Sequence, residues 1–137
     1  MNYTLLHPEI LAALASAGHG AQVAICDGNF ATQVRAPQGA RVVYLNLAPG
    51  VLTVTEIFKV IIGTVPLEKV VAMTAPDDVP AEVQKEVKSY LHESVEFELR
   101  DKLDFYALVK SEMTSLLIAS ADTRRFANLI LTIGVVK

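Results

Sequence analysis

Apolar positions along the chain alternate between two spacings. In the stretch Pro8 to Ala17, Ile10, Leu11, Leu14 and Ala17 fall on one stripe of a 3.6-residue period, which predicts a helix. Gly18 supplies its stop, because glycine enters positive φ at low cost. Val23 to Cys26 is a short apolar run closed by Asp27 and reads as a buried strand. Asp27 to Gly39 is the longest loop, Arg41 to Leu47 a second strand, and Leu52 to Ile62 a helix carrying Ile57, Val60 and Ile61. Lys69 to Thr74 is a third strand. Pro76, Asp77, Asp78 and Pro80 mark a turn with a helix start. Val79, Val83, Val87 and Leu91 then recur every fourth residue between Glu82, Gln84, Lys85 and Lys88, the clearest amphipathic helix in the chain. Val95 to Leu99 alternates apolar with acidic residues, as a strand with one wet face does. Asp104 is placed to cap a helix carrying Phe105, Leu108, Val109 and Met113. Leu116 to Ala119 and Asn128 to Ile133 complete the strands.

Strands interleaved with helices predict an α/β fold: a single domain over 1–137 with a largely parallel sheet covered by helices on both faces. Sheets of this kind bind ligands beyond the carboxyl ends of their strands, so the polar residues that follow strands draw attention.

Composition sharpens this picture. The 137 residues are 52% hydrophobic, enough to build a core without a metal or disulfide staple. Twelve Lys and Arg against fifteen Asp and Glu leave a net charge of -3, which disfavours nucleic acid as a partner. No apolar run is long enough for a membrane span, and no early stretch reads as a signal peptide. The one cysteine, Cys26, makes no intrachain disulfide and suits a reducing cytoplasm. Charged residues make up only 20% of the chain, less than a small domain usually spends on its surface, so part of that surface is expected to lie in a homo-oligomer.

Candidate chemistry gathers in a few places. His19 lies between Gly18 and Gly20, just before the first strand, and Asp27 closes that strand. Imidazole gives and takes a proton near neutral pH, and a carboxylate can orient it. The same residues also suit a surface histidine at a turn, with Asp27 forming an Asx-turn over Gly28. Asn128 opens an apolar strand, where its amide needs a partner, either a ligand hydroxyl or a turn. Lys102 and Tyr106 fit either a pocket wall or a solvated turn and helix face. His7, His19 and His92 have no zinc-site spacing, and glycine-rich nucleotide motifs are missing, so neither metal nor cofactor is expected.

Four segments, in order, resemble one family. His7-Pro8-Glu9-Ile10-Leu11 with Gly18-His19-Gly20 resembles the amino-terminal helix and GHG element of the ribose pyranase and L-fucose mutarotase family. Asp27-Gly28-Asn29-Phe30 resembles its D-A-[HN]-F-P segment, with Ala31 in place of the proline. Leu103-Asp104-Phe105-Tyr106 resembles the F-x-F-Y segment of the fucose branch, where Lys102 replaces an arginine. Phe126-Ala127-Asn128-Leu129-Ile130-Leu131, with Gly134-Val135, resembles the carboxyl-terminal element, and Phe126 replaces its usual tyrosine.

The resemblance implies a cofactor-independent isomerase that interconverts anomers or ring forms of an aldose such as L-fucose or D-ribose. It implies a homo-oligomer, a decamer of stacked pentamers, with sites at subunit interfaces. On this reading His19 transfers the proton, and Asp27 orients it or binds sugar hydroxyls. Asn29, Lys102, Tyr106, Phe126 and Asn128 contact the monosaccharide. The alternative is a non-catalytic sugar-binding or structural ring protein of the same fold, motivated by the phenol missing at Phe126.

Overall fold

The computed structural model describes residues 4–136. In chain order it contains α1 (Pro8–Ala17), β1 (Gln22–Cys26), α2 (Thr32–Arg35), β2 (Arg41–Tyr44), α3 (Val54–Ile62) and β3 (Leu67–Met73). These are followed by α4 (Glu82–Tyr90), β4 (Glu96–Arg100), α5 (Lys102–Val109), β5 (Thr114–Ala119) and β6 (Leu129–Ile133). The six strands form one sheet in the order β2-β5-β1-β6-β3-β4. β1 and β2 each pair in parallel with β5, and β3 pairs in parallel with β4. β6 is antiparallel to both its neighbours, β1 and β3. β1 to β5 therefore share one direction and β6 alone reverses. The carboxyl ends of five strands and the amino end of the sixth lie on the same edge of the sheet.

Period-two alternation sorts the strand side chains between two apolar clusters. Val23 and Ile25 of β1, with Leu116 and Ile118 of β5, join α1, α3 and α4 on one face. Ala24, Cys26 and Leu117 join Phe105 and Val109 of α5 on the other. The sheet is thus covered on both sides, as its apolar runs predict. Helix α3 buries Ile57, Phe58 and Ile61, each worth about 1.5–3 kcal/mol of apolar transfer. Its start is set by Thr53 and Glu56, which form a reciprocal capping box.

Local chemistry shifts several boundaries. Asp101, not Asp104, caps α5: its Oδ1 accepts the Asp104 N–H at 3.0 Å. Asp104 instead lies in the first turn, where its charge complements the helix dipole, and Met113 lies beyond the helix. The loop after β1 contains the short helix α2, and β2 ends at Tyr44 rather than at Leu47. The helix after Pro80 begins only at Glu82. Leu11 is exposed, so the buried stripe of α1 is Ile10, Ala13 and Leu14. β4 is an edge strand, and Leu99 is exposed on it although its position in the alternation predicts cover.

Candidate functional site

The edge that collects the carboxyl ends of the strands carries a cleft of about 370 Å³. Asp27, one residue past β1, lies in its wall and is only 5% exposed. Its Oδ1 accepts the Asn29 N–H at 3.0 Å, and its Oδ2 accepts the Ala127 N–H at 3.2 Å. The Asx-turn over Gly28 therefore forms, and the same carboxylate ties β1 to the start of β6. Burial pushes the Asp27 carboxyl above its ordinary value, against the lowering effect of those two N–H groups. Gly28 fits the close approach here, because a Cβ would meet the Asp122 carbonyl oxygen at 3.1 Å, tighter than an ordinary contact.

Asn128, immediately before β6, is 5% exposed. Its Oδ1 accepts the Asp27 backbone N–H at 2.8 Å. An N–H donor can face only the oxygen of the amide, so this bond fixes which way the side chain lies. Among the described residues the Asn128 Nδ2 has no hydrogen-bond partner, and it is not an orphaned buried donor. It is available to the cleft, which Asn128 lines. The turn-forming and ligand-facing readings of this asparagine thus apply to its two different amide atoms.

The remaining wall is aromatic and cationic. Phe30 and Tyr106 meet edge to face with centroids 5.8 Å apart. The Arg35 guanidinium lies 4.1 Å from the Tyr106 ring centroid, and Lys102 Nζ lies 5.9 Å from it. The Arg125 guanidinium lies 5.4 Å from the Phe126 ring centroid. Phe126 holds φ at +57°, a left-handed backbone that a bulky residue adopts only under constraint from its surroundings.

Six of the residues singled out in the sequence line this one cleft: Asp27, Asn29, Lys102, Tyr106, Phe126 and Asn128. His19 does not. It precedes β1, whereas Asp27 follows it, and the five residues of β1 alone span about 16 Å. Within one chain Asp27 therefore cannot orient His19. The imidazole is exposed at the opposite edge of the sheet, with Nε2 3.2 Å from Glu68 Oε1. His7 caps α1, its Nδ1 accepting the Ile10 N–H, and His92 pairs with Ser94 in the turn before β4. Arg35, Arg125 and Phe30 also line the cleft. Arg35 ends the four-residue helix α2, too short to show a period, and Arg125 lies in the irregular segment before β6; only the polar stretches after β1 and before β6 point toward them.

A second polar cluster underlies the same edge. Asp122 accepts the Val54 N–H at the start of α3 and two bonds from the Arg124 guanidinium. Burial alone would raise the Asp122 carboxyl, but Arg124 and the two backbone N–H groups bring it below its ordinary value. Arg124 Nη1 also donates to both carboxylate oxygens of Glu86 on α4. This network ties α3 and α4 to the loop that delivers Phe126.

The fold and the cleft define a small α/β protein with a polar and aromatic cleft at the carboxyl edge of a largely parallel sheet. The sequence matches the RbsD / FucU transport protein family over residues 1–136, and the chain belongs to that family. Its fold is similar to that of Bacillus subtilis RbsD complexed with D-ribose (TM-score 0.86, 24% identity, covering 100% of this chain and 99% of that one). It is also similar to the fucose mutarotase of Streptococcus pneumoniae in complex with L-fucose (TM-score 0.81, 19% identity, covering 96% and 94%). FucU from Bifidobacterium longum is similar at 30% identity and TM-score 0.77, covering 96% and 95%. No curated protein sequence gives a significant match.

Proposed function

We propose that this chain is a cofactor-independent aldose mutarotase or pyranase, an isomerase that interconverts anomers or ring forms of a monosaccharide such as L-fucose or D-ribose. The observation that carries the reading is the cleft in which buried Asp27 and the amide of Asn128 meet an aromatic wall, in a chain of this family. The ribose and fucose complexes of its structural relatives support the sugar class.

The reaction asks for proton transfer alone. A base takes the anomeric O–H proton, the bond from C1 to the ring oxygen breaks as the carbonyl forms, and an acid protonates the ring oxygen. Reclosure on the other face of the carbonyl gives the other anomer. Acid–base catalysis contributes about 100- to 10,000-fold, and the reaction already proceeds in water. Asp27 and Asn128 are proposed to hold sugar hydroxyls, with the apolar face of the sugar on Tyr106 and Phe126. Lys102 and Asn29 stand at the rim.

His19 is proposed as the proton-transfer group, supplied to the cleft by a neighbouring copy. Two observations support this. His19 sits on the opposite edge of its own sheet, and exposed apolar side chains stand near both edges: Val34 and Leu103 by the cleft, Val135 and Val136 by His19. Packing one edge on the other is a head-to-tail contact, which gives a ring when the rotation between copies closes. A decamer of stacked pentamers is the proposed assembly, working in the cytoplasm. No helix among the described residues is long and apolar enough to cross a membrane.

Saturation-transfer NMR on fucose, ribose, galactose and glucose tests the function. Accelerated exchange between anomers is expected for at least one of them. Binding without faster exchange would replace the enzyme with a sugar-binding ring protein. A monomer mass by light scattering would remove the shared site.

A further inference from the structure

The cleft gathers more positive charge than a neutral sugar needs. In a chain whose charges sum to -3, Arg35, Lys102 and Arg125 all line it. Among the described residues none of these three forms an ion pair, whereas Lys69, Arg100 and Arg124 each do. Within one chain the acid in the cleft wall is Asp27, and both of its oxygens are already held by backbone N–H groups; a neighbouring copy that delivered its His19 would add one carboxylate, that of its Glu68, against three cations. Like charges that share a partly dry cleft repel one another. Stacking on Tyr106 and Phe126 offsets only part of that cost.

The stacking has a second effect. A guanidinium lying on a ring face keeps its N–H edge free and loses little freedom when it binds, and that fork matches the two oxygens of a carboxylate or phosphate. Depth also separates the groups. Asp27 and Asn128 are buried, Arg35 is half-buried, and Lys102 and Arg125 are exposed. Sugar hydroxyls would meet the buried pair while a charged substituent met the cations.

We infer that the preferred substrate is an anionic aldose, a monosaccharide carrying one carboxylate or phosphate group bound by Arg35, Lys102 and Arg125. The inference rests on the cleft being the sugar site proposed above, and it deepens that reading by specifying the sugar.

Matched sugar pairs that differ only at C6 test it: D-glucuronate against D-glucose, D-galacturonate against D-galactose, and D-glucose 6-phosphate against D-glucose. Binding is measured by titration calorimetry and anomer exchange by saturation-transfer NMR, on the same parent protein. At least one anionic sugar is expected to bind about tenfold or more tightly than its neutral partner. That preference should shrink as salt is raised and fall to near one in Arg35→Gln/Arg125→Gln. Lys110→Gln, which removes a charge outside the cleft, should keep it. Arg35 also packs on Tyr106, so the single variant Arg125→Gln, at an exposed position, carries the test where the double variant fails to fold. Whether the uronates or the phosphate show the preference identifies the anionic group.

The outcomes separate the two readings. Anion preference without faster exchange keeps the anionic ligand and overturns the mutarotase. Faster exchange with equal or tighter binding of the neutral sugars overturns the anionic substrate and keeps the mutarotase. No binding of any of these sugars overturns both.

Discussion

Phe126 combines two roles that can be pulled apart by substitution. Its backbone sits at φ +57°, and its ring is half-buried against the apolar cluster beneath the cleft. A left-handed conformation costs an L-residue with a Cβ about 1–2 kcal/mol, and glycine pays nothing comparable. Glycine does give up more freedom on folding, by about 0.5–1 kcal/mol relative to alanine. Phe126→Gly is therefore expected to be more stable than Phe126→Ala by about 0.5–1 kcal/mol, the reverse of their usual order. Both lose the ring. Burying roughly half of a phenylalanine removes about 100 Å² from water, worth about 2.5 kcal/mol. Phe126→Ala should then cost about 2–3 kcal/mol and Phe126→Gly about 1–2 kcal/mol. Urea unfolding of the three proteins, with slopes checked for equality, measures both differences. An alanine variant as stable as the glycine variant, or more so, would refute a strained backbone here. Phe126→Tyr, which keeps the ring and adds the phenol, is the functional counterpart: exchange in saturation-transfer NMR should rise if the hydroxyl supplies a proton to the ring oxygen.

Three other variants test the remaining reasoning. Asp27→Asn keeps the volume but turns one acceptor into an amide facing a backbone N–H, so sugar exchange should fall while the assembly persists by light scattering. Because the folded carboxyl of Asp27 is raised, its contribution to stability is present at acid pH and lost as pH rises through the folded value; urea titrations against pH should show that component missing in the variant. His19→Ala should lose about 100-fold or more of the catalysed exchange, and co-refolding it with Asp27→Asn should restore exchange above either variant alone; failure to complement would place the proton transfer within one chain. Asp122→Ala strands the Val54 N–H and half of the Arg124 network, at a cost of about 3–4 kcal/mol in urea unfolding. Asp122, Glu86 and Glu98 all have lowered folded values, so the stability they contribute is present above the ordinary carboxylate range and lost as pH falls through those lower values; acid unfolding should be shallower in the Asp122 variant.

Much of the site was legible because its residues follow or precede strands. Asp27 ends an apolar run, Asn128 begins one, and Lys102 and Tyr106 follow β4, so topology carries all of them to one edge. Neither Arg35 nor Arg125 is marked in the sequence, because a four-residue helix and a short irregular segment have no period to read. The cap of α5 was misplaced by one turn because Asp101 and Asp104 are both good capping residues and only backbone geometry distinguishes them. Nothing in the sequence marks a left-handed backbone at Phe126, where glycine or asparagine is the residue usually found.

The sequence by itself determined the alternation of strands and helices, the two-sided burial of the sheet and the paired segments of the family, because period and residue type are local properties of the chain. Tertiary structure decided the rest. Whether β6 runs with or against its neighbours depends on pairing between segments distant in sequence, and that reversal is what brings Asn128 beside Asp27. The same sheet separates His19 from Asp27, although only eight positions divide them in the sequence, because an extended strand carries its two ends to opposite edges.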